Sequence, residues 1–247
     1  VCRRQRQMCI RDSGNRSASS KCGTADVLEL LGVAIEQTAD GVAACVREAG
    51  IGFCFAPMFH PAFRFAGPPR RELGVPTAFN LLGPMANPGR VRRQLIGVAD
   101  PRVSRPMVET LRRQGLTRAW VVHGSGMDEL TTTAPSQVLA LDSGDVVEFG
   151  VDPAEFGLAP ATDADLRGGH PEENALAVRR VLAGERGPHR DIVLLNAAAA
   201  LVVADLAADL ADGLARAASA IDEGHAQASL DALIRVSQAQ AAVADDR

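Results

Sequence analysis

Aromatic residues and lysine are scarce in this sequence. Aromatic side chains make up 4% of its 247 residues, whereas hydrophobic residues together make up 47%. We therefore expect an aliphatic core, built mainly from alanine, leucine and valine. Lys21 is the only lysine, and every other basic residue is an arginine. A chain of this length buries roughly 70–75% of its unfolded surface, which allows one large domain or two small ones.

Long apolar runs and excess positive charge are also absent. No stretch of about 18 residues is both apolar and uncharged, which argues against a membrane span, and the first residues lack the apolar segment of a secretory signal. The net charge of −4 argues against a general nucleic-acid binder, because phosphate affinity comes chiefly from clustered positive charge. Five cysteines without metal-ligand spacing fit a reducing compartment. We predict a cytoplasmic protein with neither a nucleic-acid nor a membrane partner.

The sequence pattern divides the chain into three parts. Residues 1–13 mix arginine and cysteine without periodicity, so we interpret them as an atypical leader, disordered or non-native; a basic recognition arm is the alternative. Residues 14–240 alternate helical and strand patterns, and we predict one α/β domain there. The β-α-β order between residues 95 and 123 favours parallel pairing. Residues 241–247 are expected to be a frayed tail.

Local signals place the individual elements. Helices are expected from Thr24 to Gly32 and from Thr38 to Gly50, since each begins at a hydroxyl cap and ends at a glycine. Ser143-Gly144 lies between two apolar runs and predicts a hairpin. The other predicted strands are 51–55, 95–98 and 119–123, and the other predicted helices are 60–73, 104–114, 174–182, 191–206 and 211–224. Gly67-Pro68-Pro69 should kink or split the helix over residues 60–73.

A polar loop precedes the first predicted helix. Its residues 14–24 have the sequence GNRSASSKCGT, and such small residues let the backbone approach a ligand closely. Because the loop leads into a helix start, unpaired N–H groups and the helix dipole favour an anion there. Taken alone, this pattern is a weak signal for phosphate binding. Loops rich in serine and glycine are common before helices, so an ordinary loop is the favoured alternative.

Adjacent carboxylates follow a predicted buried strand. Asp128-Glu129 comes after the apolar residues 120–122 and the loop 124–126, a position where ligands bind in open α/β sheets. Two oxygen ligands of this kind suit Mg²⁺, which usually takes one or two carboxylates together with substrate phosphates. A solvated acidic turn is the alternative for such a pair considered by itself.

Two further segments stand out. Arg70-Arg71-Glu72 offers guanidinium groups, which can bind a carboxylate through two parallel hydrogen bonds; a surface charge cluster is the alternative. Residues 79–88, FNLLGPMANP, combine glycine, proline and asparagine with apolar side chains. That combination predicts a packed and ordered loop without indicating what the loop binds.

These segments, in this order, resemble the anthranilate phosphoribosyltransferases. The matching stretches include GNRSASSKCGTADVLELLGV, RRELGVPTAFNLLGPMANP and VVHGSGMDELTTT, and the similarity runs from Gly14 to about Gln238. In tryptophan biosynthesis this family transfers a phosphoribosyl group from phosphoribosyl diphosphate to the amine of anthranilate, releasing diphosphate with Mg²⁺. The resemblance implies an α/β catalytic domain of the nucleoside phosphorylase type, with a central mixed, mainly parallel sheet flanked by helices. In the family this domain is hinged to a small N-terminal helical domain, through which a homodimer forms.

The resemblance also implies roles for individual residues. Asn15 would contact anthranilate, and Arg70 would bind its carboxylate. His60, near the acceptor segment, would either orient anthranilate or serve as a structural cap. Asp128 and Glu129 would hold Mg²⁺, and no general base is assigned. The residues that would line the phosphoribosyl diphosphate site are Gly14, Arg16, Ser17, Ala18, Ser19, Ser20 and Thr24.

The sequence departs from the family pattern just before Gly14. Family members carry Lys-His there, whereas this chain has Asp12-Ser13. A carboxylate in place of a cation repels a phosphate ligand by roughly several kcal/mol in a dry site. The family's glycine-rich diphosphate segment and most of its helical domain have no counterpart in the sequence. We therefore expect an N-terminally truncated enzyme that is weakly active or inactive.

Two alternative functions stay open at this point. A non-catalytic relative of the same fold that binds nucleotides or nucleic acid would need a basic groove. It would need neither Arg70 nor the pair Asp128-Glu129. A nucleoside phosphorylase relative should lack the FNLLGP and NP motifs beside an arginine that binds anthranilate.

Overall fold

The computed structural model describes residues 10–16, 22–66, 69, 72, 73, 77 and 79–245. The helices and strands, numbered in chain order, are β1 (Ile10–Gly14), α1 (Thr24–Leu31), α2 (Ala39–Ala49), β2 (Ile51–Phe55), α3 (Ala56–Phe59), α4 (Phe79–Met85), β3 (Arg93–Gly97), α5 (Ser104–Arg113), β4 (Arg118–His123), β5 (Ser136–Asp142), β6 (Asp145–Val151), α6 (Pro171–Leu182), α7 (Pro188–Val203), α8 (Leu210–Asp222) and α9 (His225–Asp245). Short 3-10 turns cover Pro61–Ala66, Pro101–Val103 and Pro153–Phe156.

The chain forms two compact units. The first takes its residues from 1–89, 168–178 and 225–247, and the second from 90–167 and 179–224. Each unit has its own sheet and its own buried cluster. No helix in the described part of the chain is long and apolar enough to cross a membrane.

The first unit is built on a two-stranded parallel sheet. Strand β1 pairs with β2 in a register that runs from Ile10 opposite Ile51 to Gly14 opposite Phe55. Helix α2 begins where the Thr38 hydroxyl accepts a hydrogen bond from the Gly41 N–H, as expected of a threonine cap. The buried cluster joins α1, α2, β2 and α9, and its members are Ala25, Val33, Ile35, Ala44, Cys45, Phe53, Phe55, Leu233 and Val236.

The second unit is built on a four-stranded mixed sheet in the order β3-β4-β5-β6. The pair β3-β4 is parallel, whereas β4-β5 and β5-β6 are antiparallel. Ser143 and Gly144, both at positive φ, form the tight turn between β5 and β6 that the sequence predicts. Helix α7 covers the sheet. Helix α8 packs closely on α7 at Gly213, where an added Cβ would lie 2.9 Å from Ala198 of α7. The core of this unit includes Trp120, Val122, Leu130, Val138, Ala140, Leu195, Ala198, Ala199 and Val202.

The α/β fold with a mixed sheet flanked by helices is confirmed, and the described strand pairs are evenly divided between parallel and antiparallel. The boundary expected between leader and domain, after Ser13, falls inside β1. Helix α1 is capped by Gly23, one residue before the predicted Thr24. Helix α9 was not predicted, and it continues to Asp245, past the expected start of a frayed tail at residue 241. Where a helix over residues 60–73 was expected, α3 ends before His60 and a 3-10 turn follows, because Pro61 cannot donate a helical hydrogen bond.

Candidate functional site

A two-residue turn leads from β4 to the acidic pair. Gly124 and Met127 exchange backbone hydrogen bonds of 3.0 and 2.9 Å, and Ser125 and Gly126 between them both have positive φ. The chain therefore reverses sharply at the end of β4, and Asp128 follows immediately. Asp128 and Glu129 are exposed on the second unit, at the end of a buried parallel strand as the sequence predicts.

His123, the last residue of β4, braces this turn. The Gly126 N–H donates to Nε2 of the imidazole at 3.3 Å, so Nε2 is an acceptor and Nδ1 carries the proton. Nδ1 lies 2.9 Å from the carbonyl oxygen of Val98, to which it then donates. One neutral imidazole thus links the turn to the residue that follows β3.

Two glycines allow the acidic pair to lie against the sheet. A Cβ added at Gly97, the last residue of β3, would overlap the backbone carbonyl of Asp128. A Cβ added at Gly124 would overlap the carbonyl oxygen of Glu129. Since neither contact can be relieved by moving a flexible side chain, glycine is required at both positions for this backbone path.

The residues after the pair are buried and hydrogen-bonded. Leu130 is 0% exposed, and its N–H and carbonyl both bond to the side-chain amide of Asn196 on α7, at 3.0 and 2.7 Å. The Thr131 N–H donates to the Ser136 hydroxyl at 3.0 Å. The Thr131 hydroxyl accepts from the Thr133 N–H at 3.1 Å. The segment DELTTT is therefore a fixed loop anchored on both sides.

The electrostatics of the acidic pair favour a cation. Burial of its carboxyl group and the neighbouring charge of Asp128 raise the pKa of Glu129, although the residue as a whole is exposed. Both causes penalise the ionised carboxylate, and a bound cation would relieve both. No cluster of three or more His, Cys, Asp or Glu side chains suited to a metal occurs among the described residues. Two carboxylates do not complete the coordination shell of Mg²⁺, so phosphate or water would have to supply the other ligands.

The described part of the polar loop is held near the surface of the first unit. Gly14 lies against the ring of Phe53, and a Cβ added at Gly14 would be 3.0 Å from the nearest ring carbon. The guanidinium of Arg16 binds the Glu29 carboxylate with two hydrogen bonds of 2.6 and 2.8 Å, and it contacts Asp26 at 3.3 Å. Arg16 is therefore engaged by carboxylates of α1, so an incoming phosphate would have to share or displace them.

The other predicted ligand contacts are only partly described. Asn15 accepts a hydrogen bond from the Arg16 N–H through its side-chain oxygen, and Thr24 is the exposed first residue of α1. His60 is half-buried, and its backbone N–H donates to the backbone carbonyl of Ala56 at 2.9 Å. The predicted contacts that lie outside the described residues are Ser17, Ala18, Ser19, Ser20 and Arg70.

The residues at the entrance to the loop are described. Desolvation of its carboxyl group raises the pKa of Asp12, although the residue as a whole is exposed. A hydrogen bond from the Ser13 N–H to this carboxylate lowers the pKa and works in the opposite direction. Residues 79–88 were expected to form an ordered loop, but Phe79–Met85 form helix α4. After this helix, the side-chain amide of Asn87 donates to the Arg11 carbonyl of β1 at 3.0 Å, and its oxygen accepts from the Gly89 N–H at 2.8 Å. The chain that follows α4 is therefore tied to β1.

Similarity to known proteins identifies the family. The family described as "Glycosyl transferase family, a/b domain" matches residues 7–227. The anthranilate phosphoribosyltransferase of Methylobacterium nodulans is 52% identical over 227 residues, which are 92% of this chain and 67% of that protein. The chain belongs to the anthranilate phosphoribosyltransferase family. It spans about two thirds of the length of the curated family members it matches.

Solved structures of anthranilate phosphoribosyltransferases have the same fold. The enzyme from Thermus thermophilus is 41% identical with a TM-score of 0.87, covering 94% of this chain and 69% of that one. The enzyme from Saccharomyces cerevisiae, solved in complex with phosphoribosyl diphosphate (PRPP) and Mg, is 24% identical with a TM-score of 0.84. The match covers 93% of this chain and 65% of the yeast chain. The second likeness shows the fold alone.

The residues that hold the acidic pair were not predicted from the sequence of this anthranilate phosphoribosyltransferase family member. Gly97, His123 and Asn196 have no role in the sequence-based hypothesis, although each contacts the backbone around Asp128 and Glu129. For His123 a signal was present, since it lies at the end of a predicted buried strand. For Gly97 and Asn196 the contacts join residues 31 and 66 positions apart, which the local pattern does not reveal.

Proposed function

We propose that this chain provides the α/β catalytic part of an anthranilate phosphoribosyltransferase of tryptophan biosynthesis. The reaction transfers the phosphoribosyl group of phosphoribosyl diphosphate to the amine of anthranilate, and diphosphate leaves. The observation that carries the proposal is the identity of about half the residues to members of that family over 92% of the chain. The cytoplasm is the proposed location, which fits membership of a biosynthetic enzyme family.

Asp128 and Glu129 are proposed to hold Mg²⁺. Their adjacency and the raised pKa of Glu129 support this assignment, and the yeast enzyme was solved in complex with PRPP and Mg. When bound, Mg²⁺ would neutralise charge that develops on the departing diphosphate. The protein's own part is to fix both carboxylates on a rigid loop at the end of β4, so that little rearrangement is needed during the reaction.

The loop from Gly14 to Thr24 is proposed to bind phosphoribosyl diphosphate, with Gly14, Arg16, Ser17, Ala18, Ser19, Ser20 and Thr24 as its contacts. Backbone N–H groups at the start of α1 favour an anion, and Gly14 keeps the strand end free of a side chain. Asn15, His60 and Arg70 are proposed to contact anthranilate, whose amine is already nucleophilic. Positioning of the amine therefore matters more than a strong base.

Calorimetry on the full chain tests the proposal. Anthranilate and phosphoribosyl diphosphate with Mg²⁺ should each bind, and turnover, reported by the loss of anthranilate fluorescence in the presence of both, should be weak or absent. Arg70→Ala should weaken anthranilate binding while leaving diphosphate binding nearly unchanged. Equal loss of both ligands would make Arg70 structural, and failure of either substrate to bind would contradict the proposed reaction for this chain.

Asp12 offers a second test, because it places a carboxylate beside the proposed phosphate loop. The double substitution Asp12→Lys with Ser13→His should tighten binding of phosphoribosyl diphosphate by at least about tenfold, since an attraction replaces a repulsion. Arg102→Leu, a charge change on an exposed side chain of the second unit, is the control and should leave the affinity unchanged. An unaltered affinity in the double variant would place the phosphates elsewhere.

A further inference from the structure

The side chain of Asn196 is fully engaged around the residue that follows the acidic pair. Its Oδ1 accepts from the Leu130 N–H at 3.0 Å, and its Nδ2 donates to the Leu130 carbonyl at 2.7 Å. The same Nδ2 donates to the Ile192 carbonyl at 3.0 Å, one turn earlier on α7. Both amide hydrogens and the amide oxygen are thus used. Asparagine is matched to this arrangement, because a carboxylate could not donate to the two carbonyls.

Asn196 stands on a rigid support. Its neighbours Leu195, Ala198 and Ala199 are each 0% exposed and belong to the main core cluster of the second unit, as does Leu130. The bond to Ile192 folds the side chain back onto its own helix, which limits its rotamers. The peptide group of Leu130 is therefore attached to the core by a short side chain that has little freedom to move.

The acidic pair is restrained from two directions. On one side, Gly97 and Gly124 bring the backbone of Asp128 and Glu129 against the ends of β3 and β4. On the other side, Asn196 fixes the backbone at Leu130, the residue bonded directly to Glu129. A shift of the Leu130 peptide would move the Glu129 carboxylate relative to that of Asp128.

We propose that Asn196 is a positioning residue, which sets the separation and direction of the Asp128 and Glu129 carboxylates so that they share one divalent cation. The inference rests on the proposed function, since it concerns the same metal-binding pair. Asn196 acts through the backbone and does not touch the cation. Residues that orient metal ligands in this way typically alter metal affinity by about 10- to 100-fold when they are substituted.

Asn174 provides a matched control within the same chain. It is a half-buried asparagine on α6 that binds a loop peptide in the same way, with Oδ1 accepting from the Gly169 N–H at 2.9 Å and Nδ2 donating to the Gly169 carbonyl at 3.3 Å. Its loop carries neither Asp128 nor Glu129. Asn174→Ala therefore removes a similar pair of hydrogen bonds without altering the acidic pair.

The test measures Mn²⁺ binding to the full chain by electron paramagnetic resonance, together with urea unfolding of every variant. Asn196→Ala should weaken Mn²⁺ binding by at least about tenfold, whereas Asn174→Ala should change the dissociation constant by less than a factor of about two. Asn196→Ser leaves a shorter polar side chain that cannot bridge the Leu130 peptide, so it keeps the test available where the alanine variant does not fold. It too should bind Mn²⁺ weakly.

Glu129→Gln separates failure of this inference from failure of the proposed metal site. If Mn²⁺ binding depends on Glu129 but the folded Asn196 variants bind like the parent chain, the positioning role is overturned and the metal site stands. If the parent does not bind Mn²⁺, or Glu129→Gln binds it equally well, both assignments are overturned. Equal weakening by Asn196→Ala and Asn174→Ala would also overturn the positioning role, since general loss of stability would then account for the effect.

Discussion

The segment around Asp128 and Glu129 and the loop that begins at Gly14 differ in what holds them in place. The acidic pair is fixed by backbone overlap with Gly97, by the imidazole of His123 and by the amide of Asn196. The described part of the Gly14 loop is held by β1 pairing and by Arg16, whose partner carboxylate on Glu29 is about half exposed. The first arrangement relies on buried, short-range contacts and the second on solvated charges.

This contrast fits the different tasks proposed for the two regions. Two carboxylates that share one cation need a defined separation, and buried contacts supply it at low cost in conformational freedom. A loop that binds a diphosphate benefits from contacts that water or ligand can replace. The two regions should consequently respond differently to substitution, and the following predictions rank those differences.

Gly97→Ala should have the largest effect. The added Cβ would overlap the carbonyl of Asp128, and a backbone group in a packed core cannot move aside as a side chain can. We expect the free energy of unfolding to fall by about 3 kcal/mol or more, measured by urea denaturation. Gly14→Ala should cost only about 1 kcal/mol, because the contacting atoms belong to the ring of Phe53, which can shift slightly.

Gly150→Ala is the control for both glycine variants. Gly150 lies in β6 of the same sheet as Gly97, and its nearest neighbour would be 3.9 Å from the new Cβ. Its free energy of unfolding should change by less than about 0.5 kcal/mol. A similar cost for Gly97→Ala and Gly14→Ala would remove the distinction between the two regions.

His123→Leu should have the next largest effect. The substitution keeps an apolar side chain of comparable size but removes the hydrogen bonds to Val98 and Gly126. We expect the free energy of unfolding to fall by about 1–2 kcal/mol, because the partly buried carbonyl of Val98 loses its partner. The exposed N–H of Gly126 can bond to water instead. His189→Leu, at an exposed position on α7, should change it by less than about 0.5 kcal/mol. Equal costs would show that His123 does not brace the turn.

The sequence was sufficient for features that depend on neighbouring residues. Thr38 and Gly50 delimit α2, Ser143-Gly144 forms the predicted hairpin turn, and Asp128-Glu129 lies just past a buried strand. Each of these depends on backbone preferences that act over a few residues. They were therefore visible in a single sequence.

Features that depend on distant contacts were not predicted. Neither the approach of Gly97 to Asp128 nor the bonds from Asn196 to Leu130 has a local signature, because each arises from packing of separate elements. Helix α9 is a different case. Its apolar residues Leu230, Leu233 and Ile234 have helical spacing, and together with Val236 they pack in the first unit's core. This spacing is typical of a helix, but the many alanines around it weaken the apolar pattern, and no helix was predicted there.

Glu129→Gln should stabilise the chain at pH 7. The gain should be no more than about 1 kcal/mol, because solvent around this exposed residue screens its charge. Burial and the charge of Asp128 raise the pKa of Glu129, so the folded state favours the protonated carboxyl. The protonated Glu129 carboxyl therefore contributes stability that is fully present below the pKa of the unfolded state. This stability is lost as the pH rises through the raised pKa of the folded state. The gain from glutamine should therefore disappear near about pH 4. Urea denaturation at about pH 4 and at about pH 7 measures the gain; a gain that is independent of pH would assign the effect to packing.

Arg16→Leu should have the smallest effect on stability, although the Arg16 guanidinium makes three hydrogen bonds to carboxylates of α1. The side chain of Arg16 is 44% exposed and that of its partner Glu29 is 47% exposed, and exposed ion pairs contribute only about 0–1 kcal/mol. We expect the free energy of unfolding to fall by less than about 0.5 kcal/mol, with Glu29→Gln behaving similarly. Salt is the discriminating variable, because the Debye length shrinks from about 10 Å at 0.1 M to about 3 Å at 1 M. The difference between parent and variant should vanish at high salt, whereas the cost of Gly97→Ala should persist. A large, salt-independent cost at Arg16 would mean that the Gly14 loop is built as rigidly as the acidic pair.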